Sequence, residues 1–308
     1  MKKMRYIPLL TLASLLIACD NAANLKSPTF AKEGDEVNFT EFTSKFNDAA
    51  NDSELVDLSI TLGDRVMKAS YSDYYLETIK RDKKEISKSE QSGSCKGEYQ
   101  FDENNLVGKQ TAEVKQTYKV TNQEGSMSAT QNTNSECYYQ FGKNNGTDGI
   151  LRVNTKTQSY YTVYVGGSNK KNFDYFMRGE LQNGLSDFSN YLPADNKAAR
   201  EYLFYTNNND TLFTYTTNQD KEETLNNYKL TTRLKIKAQL DLADEKQSFR
   251  ISYEETVSYD YTRNVDNHLK GDNFVQENKH YAEYVISAKD VNVDKVDISN
   301  YSSGSSGY

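Results

Sequence analysis

The chain has 308 residues, a formal net charge of −7 and 26% charged residues, which allows one large β domain or two domains of ordinary size. The acidic balance excludes the clustered lysine and arginine that nucleic-acid phosphates require, so we expect no nucleic-acid partner. Mean hydropathy is −0.84, yet 24 Tyr and 13 Phe supply enough large apolar side chains for a core.

The first residues have the features of an export signal. Three basic residues precede an apolar stretch, Ile7–Ile17, whose length of about 11 residues is short of the roughly 20 that a transmembrane helix needs. The segment Leu16-Ile17-Ala18-Cys19 resembles the lipobox of bacterial lipoproteins. The resemblance implies cleavage before Cys19, transfer of a diacylglyceryl group to its thiol, and a membrane-anchored, extracytoplasmic location.

This signal sets the predicted organisation of the chain. Residues 1–18 are the lipoprotein signal peptide, and 19–37 are a lipidated N-terminus and polar tether. Residues 38–301 form a single β-rich extracytoplasmic domain, and 302–308 a flexible tail. Cleavage removes 18 of the 308 residues, including three basic and no acidic ones, and therefore leaves 290 residues with a charge near −10.

Two cysteines remain once Cys19 carries lipid. Cys95 and Cys137 form an even pair outside the cytoplasm, which favours a disulfide between them. Two unpaired thiols are the alternative. A metal site is disfavoured, because neither a histidine nor a third cysteine lies near them in sequence.

The first apolar pattern of the mature chain is helical. In Asn38–Ala50, phenylalanines recur at steps of three and four residues, which gives one apolar face to a helix. Asn38 is a suitable N-cap, and Glu41 three residues later completes an arrangement like a capping box. We therefore predict an N-terminal helix over this segment.

Further helices are predicted in mid-chain. Asn172–Leu192 places apolar residues near helical spacing and ends before Pro193. Asp195–Tyr205 adds a short helix. Ser53–Gly63 fits either a short helix or a strand.

Most of the remaining pattern has a period of two. Apolar and polar residues alternate in Thr111–Val120, Leu151–Val165, Lys229–Leu242, Phe249–Tyr261 and His280–Ala288. Such alternation is typical of antiparallel strands with one packed and one solvated face. Lys229–Leu242 is the clearest case, with leucines on one side and basic residues on the other.

The predicted fold class is α+β, mainly β: a long, curved antiparallel sheet forming an incomplete barrel, with the N-terminal and mid-chain helices on one face. This order of elements, with the alternating segment Ala288–Tyr301 at its end, resembles the LolA/LppX-like lipoprotein-carrier fold over Asn38–Tyr301. The resemblance implies a hydrophobic cavity between sheet and helices that holds acyl chains. A β-sandwich or an extended sheet is the structural alternative.

Catalytic patterns are weak in this sequence. His268 falls in a polar turn and His280 in an alternating strand, so neither indicates a metal ligand. No Gly-x-Ser-x-Gly elbow is present. The adjacent carboxylates Glu222-Glu223 and Glu254-Glu255 point to opposite faces of their strands and make no acid–base pair. We expect no enzyme activity, no metal and no cofactor.

The function predicted from these features is non-enzymatic binding of an apolar or amphiphilic ligand, such as a lipid, by a protein held on a membrane through its N-terminal lipid. The alternative is a surface interaction or adhesion lipoprotein that binds a protein or a glycan. Arg233, Lys235 and Lys237 are the possible binding face for that alternative. An ordinary solvated sheet face also explains these basic residues.

Overall fold

A computed structural model describes residues 27–51, 66–101, 106–122, 125–144, 146–165, 188–242, 246–264, 268–288 and 293–304. These residues are mostly in β-strands, which confirms the mainly-β class. The helix is α1, Phe39–Asn51, and the strands are β1 Asp35–Val37, β2 Val66–Arg81, β3 Lys84–Phe101, β4 Leu106–Asn122, β5 Gly125–Asn144, β6 Thr147–Asn154, β7 Ser159–Val165, β8 Tyr202–Thr206, β9 Leu212–Thr224, β10 Tyr228–Asp241, β11 Lys246–Tyr261, β12 Asn273–Ala288 and β13 Ser302–Ser303.

These strands form one large, open sheet in the order β1-β8-β9-β10-β11-β12-β2-β3-β4-β5-β6-β7-β13. Nine of its twelve pairings join strands that follow each other in sequence, so two antiparallel meanders, β2–β7 and β8–β12, make up most of it. β12 pairs antiparallel with β2 and joins the meanders. We call this pairing the seam. β13 runs parallel to β7.

Four of the alternating segments lie in long strands. Lys229–Leu242 forms β10, Phe249–Tyr261 lies in β11, His280–Ala288 in β12 and Thr111–Val120 in β4. Leu151–Val165 is instead a hairpin of β6 and β7. The side-chain amide oxygen of Asn154 accepts hydrogen bonds of 3.0 Å from the backbone N–H groups of Lys156 and Thr157. This Asx-type turn reverses the chain. In the sequence, apolar residues fall at odd positions both before and after the turn, so the alternation does not reveal the turn.

Helix α1 begins as its sequence predicts. The Asn38 side chain accepts a hydrogen bond of 2.9 Å from the backbone N–H of Glu41, which satisfies one of the free donors of the first turn. The apolar face of α1 lies on the sheet: the ring of Phe42 is 5.1 Å from Phe204 on β8 and 5.7 Å from Phe213 on β9. We call this side of the sheet the helix-side face.

The core occupies one end of the long strands. Its buried cluster includes Phe42, Phe188, Phe213 and Phe249, and it reaches Ile150 on β6. We call this part of the sheet the proximal half, and the part toward Tyr228, Tyr261 and Gly125 the distal half. The first ten residues of β5 are all exposed, so the distal half stands in solvent on both faces there.

The N-terminal segment is docked on the opposite face, although the sequence predicts a tether up to residue 37. Ala31 exchanges two backbone hydrogen bonds with the Gln239 side chain, at 2.7 and 3.1 Å, and β1 pairs with β8. A Cβ on Gly34 would lie 2.1 Å from the Thr206 carbonyl oxygen, so only glycine allows this approach. Gln239, predicted to be solvated, is consequently fully buried.

The C-terminal expectations also need correction. Residues 293–300 form no strand. They lie along β5, where Gln140 receives a hydrogen bond of 2.9 Å from the Val296 N–H and donates one of 3.1 Å to its carbonyl oxygen. Ser302 and Ser303, predicted to belong to a flexible tail, pair with β7. Contacts of this end with the sheet hold it in place.

The mid-chain helices are described only in part. Phe188–Asn190 are helical, and the rest of the predicted helix up to residue 187 lies outside the described residues, as does Ser53–Gly63. The short helix predicted over Asp195–Tyr205 is wrong in most of its length. It is a 3₁₀ turn at Ala198–Glu201 that leads directly into β8.

Candidate functional site

Aromatic side chains cluster at the distal end of the helix-side face. Tyr228, Tyr259, Tyr261 and Phe274 lie near the tips of β10, β11 and β12, and all are half-buried. Ring centroids are 5.4 Å apart for Tyr228–Tyr259, 5.7 Å for Tyr228–Tyr261 and 6.0 Å for Tyr259–Phe274, which suits favourable tilted and edge contacts. We call these four residues the distal aromatic cluster.

This cluster lies far beyond the reach of α1. Position 228 is separated along β10 from the core residue Leu240 by about 40 Å, at 3.3 Å per residue. Helix α1 has 13 residues and is therefore about 20 Å long. The described α-helical residues thus cover only the proximal half of the helix-side face.

An apolar row crosses the same face next to the cluster. Val257 on β11, Ile79 on β2, Val120 on β4 and Met127 on β5 stand at one level of the continuous register, with Gln276 and Ser87 between them. Met127 is 66% exposed. We call these four apolar residues the apolar row. They extend the apolar surface from the distal aromatic cluster toward β5.

A polar band follows at the next levels toward the core. The Asn278 amide donates a hydrogen bond of 3.1 Å to Glu255, and Gln276 donates one of 3.0 Å to Glu77. The amide oxygen of Asn278 is shielded from solvent and has no hydrogen-bond donor. An unsatisfied buried acceptor is costly, but this oxygen is too shielded to be reached from the surface. The half-buried carboxylates of Glu255 and Glu77 are the accessible acceptors of the band.

His280 closes the band on the core side. A hydrogen bond of 2.9 Å joins its Nδ1 to the hydroxyl of Tyr191, and the Tyr191 ring lies 5.4 Å from that of Tyr253. The histidine therefore packs within the sheet, in agreement with the alternation around it.

His268 extends the aromatic cluster. Its ring stacks on Tyr261 at 4.2 Å with an interplanar angle of 8°. The loop that carries it is held by Asp272, which accepts hydrogen bonds from the Leu269 N–H at 3.0 Å and from Arg81 at 2.7 Å. These two donors, the backbone N–H first, lower the pKa of Asp272 below its ordinary value.

The opposite face of the sheet carries charged side chains and one pair of tyrosines. Tyr74 and Tyr281 stack at 5.8 Å, and their hydroxyls donate to Glu90 and Glu254 respectively. Burial raises the pKa of Tyr74 to about 12, and the charge of Glu90 adds to the rise. Burial, followed by the hydrogen bond to Glu254, raises the pKa of Tyr281 above its ordinary value as well.

The three basic residues predicted as a possible binding face have different surroundings. Arg233 pairs with Asp220 at 3.2 Å. Lys237 pairs with Glu33 and lies over the Phe30 ring, so the docked N-terminal segment covers it. Lys235 is exposed. The alternation of β10 is right, but sequence alone does not reveal the segment that covers part of this face.

The predicted disulfide is corrected by the register. Cys95 on β3 is level with Ala112 on β4, whereas Cys137 on β5 is level with Gln110. One strand therefore separates the two cysteines by about 9.5 Å in the hydrogen-bonding direction alone, beyond the roughly 7 Å limit between bridged Cα atoms. Cys137 is a buried free thiol.

The Cys137 thiol has a cationic neighbour. Arg152 Nη2 donates a hydrogen bond of 3.1 Å to its sulfur, while Arg152 Nε has no acceptor. Arg152 as a whole is 8% exposed. The thiol therefore accepts a hydrogen bond from a buried charge.

An open pocket of about 380 Å³ lies between β5 and the C-terminal segment, lined by Gln140, Phe141, Gly142 and Lys295–Ile298. Because the C-terminal segment forms one wall, this is not the cavity between sheet and helices that the carrier resemblance implies. The distal aromatic cluster does not contribute to it.

Several predicted features are not settled by this geometry. Cys19 lies outside the described residues. Among the described side chains no group of three or more His, Cys, Asp and Glu is placed to hold a metal ion. In the described part of the chain, no helix combines the length and apolar character needed to cross a membrane.

Sequence reasoning missed the distal aromatic cluster. The sequence pattern places Tyr259 and Tyr261 on one face of a single strand. Their contacts with Tyr228 and Phe274 depend on the register between three strands, which the pattern does not give. A usable signal was the position of these residues beside turns, because Tyr228 directly follows Asn226-Asn227, and Tyr261 and Phe274 flank the polar segment that contains Gly271 and Asp272.

Comparison with known proteins gives weak likenesses. No family model matches the chain, and no curated protein matches it. The translocator domain of the autotransporter NalP from Neisseria meningitidis aligns with 80% of this chain and 98% of its own, at 8% identity and a TM-score of 0.22. OccK7 from Pseudomonas aeruginosa aligns with 73% of this chain and 99% of its own, at 6% identity and a TM-score of 0.16.

Proposed function

We propose that this protein is a membrane-anchored, extracytoplasmic lipoprotein that binds an amphiphilic ligand on the distal helix-side face, without enzymatic activity. The observation that carries the proposal is the distal aromatic cluster with its apolar row, half-buried on a face that α1 leaves uncovered. Apolar patches on a soluble surface are characteristic of binding sites.

The surface is amphiphilic in a definite order. The cluster and the row offer aromatic and aliphatic contacts to a hydrocarbon chain, at about 25 cal/mol for each Å² of apolar area buried. The polar band beside them offers the half-buried carboxylates of Glu255 and Glu77 as hydrogen-bond acceptors. A ligand with an acyl chain and a hydrogen-bond-donating head group matches both parts.

The finer form of the fold belongs to the same proposal. A sheet that curves into an incomplete barrel, with helices over one face, would turn the helix-side face into a trough. The shared core of α1, β9 and β6 supports this curvature, and the lipobox at Cys19 supports the anchor.

The test compares two charges placed one residue apart. Val257→Asp introduces a carboxylate into the apolar row, while Thr256→Asp introduces the same charge on the opposite face. The probe is the neutral fluorescent amphiphile 11-(dansylamino)undecan-1-ol, whose hydroxyl can donate a hydrogen bond to the carboxylates of the polar band. It is titrated into the chain from Asp20 to Tyr308. We expect saturable binding that V257D weakens at least tenfold, with T256D close to the wild type.

Native mass spectrometry of the purified chain provides the second measurement. A lipid-sized adduct that organic solvent removes would support the proposal. A bare polypeptide mass, together with no saturable binding of the dansyl probe, would contradict it and shift the assignment to the protein- or glycan-binding alternative, for which the exposed Lys235 remains available.

A further inference from the structure

The distal half of β5 is an open edge of the sheet. β6 pairs with β5 only from Tyr138 onward, so on the side away from β4 the described strands leave Gly125–Cys137 without a neighbour. The first ten of these residues are exposed. Alternate N–H and C=O groups of this segment therefore face solvent in a row that an added strand can pair with.

The composition of this edge is unusual for an exposed strand. Gly125–Ser135 contains no charged residue and no proline, whereas natural edges are commonly protected by one or the other. The opposite edge of the same sheet is protected. The pairing of β8 with β9 ends at Tyr202 and Thr217. Past this point β9 is the edge strand, and it carries the charged residues Asp220, Lys221, Glu222 and Glu223. In the described part of the chain, charged residues therefore protect one distal edge of the sheet, and the other distal edge carries none.

We propose that the β5 edge, Gly125–Ser135, is a self-association surface that pairs antiparallel with the same edge of a second copy of this chain. A two-fold axis normal to the sheet relates the two strands and joins both sheets into one, in the isologous manner of a symmetric dimer. Strand addition of this kind derives its affinity from main-chain hydrogen bonds.

Charge favours a second copy as the occupant. The chain carries a net charge of −7, so two copies repel each other at most contacts. The neutral edge is a place where they meet without placing like charges opposite one another. Recognition of a different, charged partner would instead require charged residues on this edge.

The side chains of the edge also suit pairing with themselves. Short hydroxyl and amide side chains form favourable cross-strand pairs, and this strand already makes such pairs with β4. The hydroxyl oxygens of Thr130 and Thr117 are 3.4 Å apart, and those of Ser126 and Thr121 are 3.3 Å apart. The outer side of β5 presents the same residue types to a copy of itself.

Dimerisation deepens the proposed function, on which this consequence rests. A two-fold axis normal to the sheet keeps both helix-side faces on one side. Pairing of Gly125–Ser135 with itself places Met127 opposite Thr133 of the second copy, so the two apolar rows run side by side on this face, about 20 Å apart along the strands. The joined surface is then twice as wide as that of one copy. Held on one membrane, the copies would also pair at a higher effective concentration than in solution.

The experiment measures mass by sedimentation equilibrium on the chain from Asp20 to Tyr308. Thr130→Lys with Asn132→Lys places two charges on the edge strand, and we expect the dimer dissociation constant to rise at least tenfold. The matched control is Thr117→Lys, which lies directly opposite Thr130 but one strand inside the sheet. We expect T117K to leave the dimer intact.

Amide hydrogen exchange gives an independent reading. Protection of Ser126–Ser135 should increase with protein concentration in the wild type and in T117K. A monomer at every concentration, or a dimer that T130K/N132K does not weaken, overturns the proposal. Because dimerisation needs no ligand, a monomer that still binds the dansyl probe would refute only the self-association.

Discussion

At the scale of single residues, the tyrosines are used in two different ways. On the helix-side face Tyr228, Tyr259 and Tyr261 contact each other through their rings. On the opposite face Tyr74 and Tyr281 direct their hydroxyls to carboxylates, and burial with those charges raises both pKa values. The same residue type thus provides an apolar surface on one side and a pH-dependent contact on the other.

The raised pKa of Tyr74 gives a prediction with a definite sign. The unfolded chain ionises near pH 10 and the folded chain only near 12, so the contribution is complete below pH 10 and is lost as the pH rises from 10 through 12. The rise corresponds to at most about 2.7 kcal/mol, which solvent screening around a half-buried ring reduces to about 1 kcal/mol.

Urea unfolding at several pH values between 9 and 12 measures this effect. Tyr74→Phe should flatten the fall in the free energy of unfolding above pH 10. Tyr118→Phe, at a position that is 47% exposed, serves as the control and should keep the wild-type slope. Equal slopes for the wild type and Y74F would show that Tyr74 makes no such contribution.

At the scale of elements, helix α1 was predictable and its partners were not. The steps of three and four between Phe39, Phe42 and Phe46 set its apolar face, and Asn38 set its start. The strands that this face meets, β8 and β9, follow more than 150 residues later. Local periodicity contains no information about that pairing, nor about the turn that divides Leu151–Val165.

The contact of α1 with the sheet predicts a large loss from one substitution. Phe42 is fully buried and contacts four aromatic rings. Phe42→Ala leaves a cavity among them and should lower the free energy of unfolding by about 3–5 kcal/mol. Ser44→Ala, on the exposed side of the same helix, should change it by less than about 0.5 kcal/mol.

Chemical unfolding followed by circular dichroism checks this pair of variants. A loss below about 1 kcal/mol for F42A would indicate that α1 adds little to the stability of the sheet. A similar loss for S44A would point to an effect on helix formation rather than on packing.

At the scale of the whole molecule, the sequence predicted the mainly-β class and the antiparallel strands, but not the order of the strands in the sheet. Alternation identifies β10, β11 and β12 one by one, and short turns place them side by side. The seam joins β12 to β2, which differ in no visible way from other strands. The disulfide was mispredicted for the same reason, since β4 lies between Cys95 and Cys137.

The seam has a consequence for the time course of folding. Each meander assembles from hairpins between neighbouring strands, which form in about 1–10 μs in isolation. Seam partners such as Lys80 and Glu277 are 197 residues apart, and the loop-closure entropy of such contacts makes them slow to form. We therefore expect pulse-labelled hydrogen exchange during refolding to show β2–β12 amides protected after those within either meander.

Until that closure, β2 and β12 each present a strand edge of sixteen residues. Two chains at this stage can pair the β2 of one with the β12 of the other, which yields the native strand contact between the wrong molecules. The refolding yield should consequently fall as chain concentration rises, while the rate of meander formation stays constant. An early-closing seam would instead make the yield independent of concentration, so one dilution series separates the two orders of assembly.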